Sequence, residues 1–505
     1  MSSNKNIRFS PFIKQCFVTA GVGANIIGHG CVLGYPGILL PQLDLADSAF
    51  KLSAGAASWI ASIMGISQII GSFVSPPIME RYGRKIAHFI VISSHLISWL
   101  MIGLAYNFEV LFAARLLQGL SIGMLSPLRS VLIGEYTSPK NRGAFLTIVS
   151  LTQTFGIFLV HLLGSLLYWQ ITALICMVFP LVSIVITFYS PESPSWLIKQ
   201  GKREDCQRVF FWLRGEEERA ELEEMIESQW HYKNTKLSEK STQQTNKLQN
   251  MWTTVKKPEF YKPIILMMHA HVLVNFAGGP TMSVYSTQII TTLMGPEANA
   301  HFWMIFLDGQ RFVFNTLAVF AINRFKRRTM MFATGGLSIL SHFAISVYLY
   351  YKMQGSLVYD EMWIPIVLIN IKILALAVGV FPVPNVIGGE VFPLQYRSIG
   401  GTISLLSFSG TFFLVLKTFT SLVENLGMYG VYLLYGGILS YCMMVIWILL
   451  PETKGKTLQQ IENEFRGKPI TSEEIEALTT CKIPEGQTVL NQNSTSKESG
   501  ELLHK

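Results

Sequence analysis

Apolar residues fill most of this chain in runs far longer than a soluble helix needs, and short polar links interrupt them at regular intervals. A bilayer core of ~30 Å takes about 20 helical residues to cross, and more when the helix tilts. That criterion predicts twelve spans: 16–41, 55–79, 86–106, 109–133, 143–165, 168–189, 263–293, 298–322, 329–351, 361–389, 397–423 and 427–450. Six precede the polar stretch 191–262 and six follow it. The expected fold class is all-α integral membrane, with twelve transmembrane helices in two pseudo-symmetric six-helix bundles at 16–190 and 263–450. Residues 1–15, 191–262 and 451–505 would lie outside the bilayer as N-terminus, linker and tail.

The two halves echo each other. Glu80-Arg81-Tyr82-Gly83-Arg84-Lys85 recurs in degraded form as Asn323-Arg324-Phe325-Lys326-Arg327-Arg328, each copy ending one apolar run and starting the next. Such internal duplication marks a secondary transporter and points to solute movement rather than chemistry. Lys and Arg collect in the links after spans 2, 4, 6, 8 and 10, with Lys51 and Lys352 the main ones on the opposite side. By the positive-inside rule both termini and the central linker should be cytoplasmic; the expected location of this multi-pass protein is the plasma membrane.

Composition narrows the picture further. At 50% hydrophobic and only 14% charged residues, the 505-residue chain is too apolar for a typical soluble protein. Its formal charge of +8 reads as an orientation signal, because no basic stripe interleaved with aromatics suggests a nucleic-acid partner. The expected partners are the lipid bilayer and a small polar solute; the oligomeric state is left open. Six scattered cysteines have no paired spacing, so neither disulfides nor a metal site is expected. Neither a catalytic triad nor a nucleotide loop is present, which argues against an enzyme and against a cofactor. In the linker, Val209, Trp212, Leu213, Leu222, Met225 and Ile226 have helical spacing and predict surface helices over 203–229. Stretches 233–250 and from 484 onward are polar enough to lack a core.

Polar side chains at mid-depth are costly when they face lipid, so they are candidates for a central path. Gln153 in span 5, Asn275 in span 7 and Asn385 in span 10 stand out. Asn275 precedes Gly278, Gly279 and Pro280, and Asn385 follows Pro382 and Pro384, so each amide sits beside a predicted helix break. Amides suit sugars because they offer donors and an acceptor to adjacent hydroxyls. The alternative for each is a hydrogen bond between helices. At the inner ends of helices, Glu80, Arg84, Glu135, Arg142 and Glu192 are echoed by Arg327, Glu390, Arg397 and Glu452. A cluster of these groups bridging the halves could latch the cytoplasmic side; the plainer alternative is that they orient helix ends and stay solvated.

Five motifs fall in order at helix ends. They are Arg115-Leu116-Leu117-Gln118-Gly119, Glu135 with Arg142-Gly143, Pro191-Glu192-Ser193-Pro194-Ser195-Trp196-Leu197, Glu390-Val391-Phe392-Pro393 with Arg397, and Pro451-Glu452-Thr453-Lys454-Gly455 with Thr457-Leu458. Over roughly residues 15–465 the chain resembles the sugar porter family of the major facilitator superfamily. Within it, Ser58-Trp59 and the overall spacing resemble the insect facilitated trehalose transporter group. The resemblance implies alternating access and a small-molecule sugar, for which Gln153, Asn275, Gly278, Pro280, Arg311 and Asn385 are the candidate binding residues. It also implies departures from hexose carriers, whose span 5 glutamine aligns with Ser150 and whose span 10 aromatic aligns with Asn385. A disaccharide or polyol therefore stays open. Proton-linked members carry an Asp after the aromatic of span 1, whereas Gly34-Tyr35 here precedes Pro36, so the resemblance implies a facilitator.

Asp308 and Arg311 share a face of span 8 and are expected to neutralise each other. Lys372 and Lys417 are expected to snorkel toward an interface. His29, His161, His269 and His271 are read as packing or cavity residues. Two rival functions remain: a proton-coupled sugar or polyol porter using Asp308, and a non-transporting sugar receptor built on the same fold.

Overall fold

A computed structural model describes residues 10–45, 50–227, 255–357, 361–393, 396–456 and 458–467. Spans 1 to 6 are Pro11–Asp44, Ala54–Tyr82, Arg84–Gly103, Phe108–Tyr136, Pro139–Leu166 and Trp169–Tyr189. Span 7 is Pro258–Val284 continued by Ser286–Met294, and spans 8 to 10 are Ala300–Ile322, Arg327–Met353 and Trp363–Glu390. Spans 11 and 12 follow each other without a loop inside Arg397–Leu449, and the chain turns at Gly427 (φ 69°, ψ 165°).

Local chemistry sets the ends. Span 1 begins earlier than hydropathy predicts because Ser10 caps it, its hydroxyl accepting from the Ile13 amide at 3.4 Å, and Pro11 fills the first helical position. Span 5 likewise starts at Pro139, just after Ser138. The predicted break in span 7 is present: the helix Pro258–Phe276 stops, Gly278 takes a left-handed conformation (φ 92°, ψ 17°), and a new turn starts at Gly279. In span 10 the prolines act one turn upstream. Pro382 and Pro384 lack amide hydrogens, and the preceding Leu376–Val380 widens into a π-turn.

Packing repeats between halves. Spans 1 and 5, 2 and 4, and 3 and 6 pack in the first half; 7 and 11, 8 and 10, and 9 and 12 are their counterparts. The halves meet chiefly through spans 2 and 11 and spans 5 and 8, two contacts that the internal duplication makes images of each other, with span 1 also against span 7. Close approach needs small residues. A Cβ on Gly156 would lie 2.1 Å from the Ile27 carbonyl oxygen, so no other residue fits where span 5 crosses span 1.

Outside the spans, the expected linker helix forms as Arg203–Arg214, with Cys206, Phe210 and Leu213 buried. Gln15 donates to the Leu213 carbonyl at 3.2 Å, tying this helix to the start of span 1. A helix not foreseen in the sequence, Leu458–Arg466, buries Ile461 and Phe465 under span 7. Lys262 there donates to the Phe465 carbonyl at 3.0 Å, and Arg466 reaches Glu259 at 3.5 Å. The stretches 233–250 and from 484 onward lie outside the described residues.

Candidate transport path and gate

The structure distributes the six candidate solute-binding residues unequally. Gly278, Pro280 and Arg311 gather at the break in span 7. Arg311 Nη2 would lie 3.9 Å from a Cβ on Gly279, while its Nη1 donates to Ser283 Oγ at 3.2 Å. Asn275 lies just before the break but is fully buried, its Nδ2 donating to the Phe408 carbonyl at 2.9 Å and to Thr411 Oγ1 at 2.6 Å. That is the interhelical alternative: Asn275 joins span 7 to span 11. Asn385 is exposed, and its Nδ2 turns back to the Phe381 carbonyl of its own helix at 3.1 Å. Gln153 is half-buried on span 5.

Two charged residues depart from expectation. Lys372 does not snorkel; at 2% exposure it lies against the span 7 break, where a Cβ on Gly278 would stand 2.6 Å from its Nζ. Its Nζ is 4.7 Å from the centroid of the Tyr432 ring and 3.4 Å from that hydroxyl. Asp308 and Arg311 do not form the expected ion pair either. The carboxylate of Asp308 makes a direct hydrogen-bonded contact with Nδ1 of His161, from the other half. Nothing in the local sequence of His161 announces this, since the partners are 147 positions apart.

This contact belongs to a seam between the halves. Toward the end of the spans remote from the basic links, Ser58 donates to the Lys417 carbonyl at 3.0 Å and Lys417 Nζ lies 4.2 Å over the Trp59 ring. Deeper, Asn315 donates to Thr154 Oγ1 at 2.8 Å. A Cβ on Gly37 of span 1 would sit 2.7 Å from the Ser283 carbonyl oxygen of span 7. The far ends of the halves are thus pressed together.

The basic end is organised differently. Arg84 makes a bidentate pair with Glu135, both contacts 2.9 Å, and Glu192 accepts from the amides of Arg84 (2.9 Å), Lys85 (3.2 Å) and Ser193 (2.8 Å). The second half repeats the design. Arg327 faces Glu390 at 3.5 Å, Thr453 donates to Glu390 at 2.6 Å, and Glu452 accepts from the amides of Arg327 (3.1 Å), Arg328 (3.2 Å) and Lys454 (2.9 Å). Arg142 and Arg397 each donate to a carbonyl eight residues back, Gly134 at 2.7 Å and Gly389 at 2.8 Å. Glu80 is exposed and contributes its backbone carbonyl, which accepts from Trp196 Nε1 at 3.1 Å.

The expected cluster bridging the halves therefore resolves into two, each closed within its own half in this conformation. The reason is geometric: the acids and bases sit at the ends of neighbouring helices of one bundle, and duplication copied the arrangement. The two copies differ in electrostatics. Burial raises the Glu192 carboxyl above the usual range despite its amide donors. Burial also pushes Glu452 up, but the amides of Lys454, Arg328, Arg327 and Thr453 together outweigh it, leaving that carboxyl below the usual range. Gly83 makes the first cluster possible. Its φ of 95° excludes side chains, and a Cβ there would stand 2.3 Å from Glu192 Oε2.

A profile for "Sugar (and other) transporter" matches residues 31–465. The chain belongs to this sugar transporter family. Its twelve apolar spans in two six-helix bundles make the major facilitator fold of a multi-pass membrane protein. Among relatives of this chain, the facilitated trehalose transporter Tret1 of Drosophila yakuba is 26% identical over 454 residues, covering 89% of this chain. The chain spans about half the length of that protein (51%). Tret1 of Apis mellifera ligustica is 25% identical, with 92% of this chain and 91% of that protein covered. Among solved structures, the inward-open xylose transporter XylE of E. coli superposes with a TM-score of 0.70 at 16% identity, covering 90% of this chain and 100% of that one. XylE bound to 6-bromo-6-deoxy-D-glucose gives 0.66 at 19% identity, with 90% and 99% covered.

Proposed function

We propose that this sugar transporter is a facilitative carrier of a small sugar, with trehalose the first candidate, working by alternating access in the plasma membrane. Its basic end would face the cytoplasm, and with it both termini, a reading that the Lys and Arg distribution supports. The observation that carries the reading is the unequal closure of the two ends. Contacts between halves are pressed tight at the far end, through Gly37 with Ser283 and Ser58 with Lys417. The charge clusters at the basic end each close on their own half. A carrier resting open to the cytoplasm has that form. The other arm of the cycle would part spans 5 and 8 and spans 2 and 11 at the outer end. The mirrored clusters then serve as rigid anchors for each half, and the break in span 7 beside Arg311 and Gly278 is the place where a hydroxyl-rich solute would meet polar groups.

The names of the Tret1 relatives support trehalose, and Asn385 in place of a stacking aromatic supports a solute larger or more polar than a hexose. Uptake of labelled trehalose, glucose and polyols into vesicles containing the purified protein tests the reading. Saturable flux of at least one sugar, inhibited by unlabelled sugar, is expected; the absence of flux for every sugar would defeat it.

A further inference from the structure

We propose that His161 and Asp308 form a proton-binding site in the seam between the halves, whose proton-bound form is the externally closed conformation. The imidazole sits where spans 1, 5, 7 and 8 converge. Gly34 and Gly37 clear a notch for it, since a Cβ on either would stand 3.0 Å from Nε2. Nδ1 meets the Asp308 carboxylate, and Nε2 lies 2.9 Å from the Gly34 carbonyl oxygen and 3.2 Å from that of Ser283. Carbonyl oxygens only accept, so Nε2 carries a hydrogen.

That assignment settles the other side of the ring. With Nε2 protonated, a neutral imidazole presents a bare lone pair at Nδ1, directly against a carboxylate that also only accepts. The contact closes only if a second hydrogen lies between them. It resides either on Nδ1, giving imidazolium and carboxylate, or on Asp308, giving a carboxylic acid that donates to the ring. Both forms hold one proton more than a free neutral histidine and a free carboxylate. Leaving the two acceptors face to face in a buried seam carries a large penalty.

Among the described residues around the pair, no other group could take this role. Arg311, on the same face of span 8, is the nearby permanent charge and is engaged with Ser283 Oγ. Span 7 presents Ser283 and Ser286, span 1 presents backbone at Gly34 and Gly37, and span 10 presents Ile373 and Leu376 to the small cavity beside Asp308. Lys372 lies beyond the span 7 break, against Gly278 and Tyr432. When the halves part at the outer end, His161 leaves with span 5 and Asp308 with span 8. Arg311 stays on span 8 with the carboxylate, engaged with Ser283 in the closed form, and both partners meet external water. The proton is taken from external water as the seam closes and returned there as it opens, so external acid holds the carrier shut on that side without moving a proton across. This rests on the alternating-access reading and its orientation, but not on the identity of the solute.

The test needs no sugar, so its failure is separate from failure of the proposed substrate. Nitroxide labels on Leu166 and Phe302, exposed at the outer ends of spans 5 and 8, report the separation of the halves by pulsed electron paramagnetic resonance. The full chain in lipid nanodiscs is measured between about pH 5 and about pH 8.5, where imidazole–carboxylate pairs titrate. The expected ratio of open to closed populations rises with pH, approaching about tenfold per pH unit as one proton is released. Asp308→Asn and His161→Gln should each flatten that slope; either variant suffices if the other fails to fold. A parent ratio that is flat with pH, or a slope that survives in a folded variant, would overturn the proposal.

Discussion

Replacing Gly65 by leucine should drive the carrier out of the conformation seen here. Gly65 lies on span 2 against span 11, across the seam between halves, and a Cβ there would stand 2.7 Å from Phe413 Cβ, 2.8 Å from the Ser409 carbonyl oxygen and 2.9 Å from the Phe413 amide nitrogen. Two of these three neighbours are backbone atoms, which cannot swing aside as a side chain would. Overpacking a tight site costs ~1–3 kcal/mol. Here the cost falls on one of two states, because the externally open form separates spans 2 and 11. The ratio of externally open to closed forms should therefore rise roughly 5- to 160-fold. Asn385, exposed in the basic half of span 10, provides the readout. A cysteine placed there in a background lacking the native cysteines should react with a maleimide applied from the cytoplasmic side, and Gly65→Leu should slow that reaction in proportion. A correctly folded Gly65→Leu protein that labels at the parent's rate would show that the seam does not open, and the two-state reasoning would fail.

Two further outcomes follow from the charge clusters. Gly83→Ala places a Cβ against Glu192 at a backbone angle that side chains avoid, and strain of this kind costs ~1–3 kcal/mol. Its thermal unfolding midpoint in detergent should fall by several degrees, whereas Gly143→Ala, at a helical position with open space around it, should leave the midpoint within a degree or so of the parent. Glu452→Gln should destabilise the protein at neutral pH, because the amide cage in the folded state favours the ionised carboxylate over the unfolded chain. A carboxyl with a lowered folded-state value contributes its stability above the unfolded value and loses it as pH falls through the lowered one. The gap between parent and variant in unfolding midpoint should therefore close as the medium is acidified below the usual glutamate range; a gap that persists there contradicts the assignment.

The sequence made the architecture legible because membrane spans are long, apolar and bounded by charges, and because the duplicated hairpin at Glu80 and Asn323 marks the repeat. The breaks were legible too, since Gly278 and Pro382 are residues that helices tolerate poorly. Pairing was not. Asn275 could face solute or a neighbouring helix, and only the position of Phe408 and Thr411 on span 11 decides for the helix. The acid and base residues of the two charge clusters are legible by type, but whether Arg84 meets Glu135 of its own half or an acid of the other depends on how helix ends converge in space. His161 shows the limit most clearly, because its meaning comes entirely from Asp308, which a linear reading assigns to Arg311. Lys372 looked like a snorkelling residue only because sequence cannot tell a lipid-facing side from the side facing the Gly278 break.

Counterflow offers the most direct test of a solute path opened alternately on its two sides. Vesicles containing the purified protein are preloaded with unlabelled trehalose and diluted into a trace of the labelled sugar. A transient rise of label above its external concentration is expected, driven by the outward sugar gradient alone and unchanged when the pH gradient is collapsed at constant external pH. Label that never exceeds the level in protein-free vesicles, for trehalose and for every other sugar tried, would contradict it.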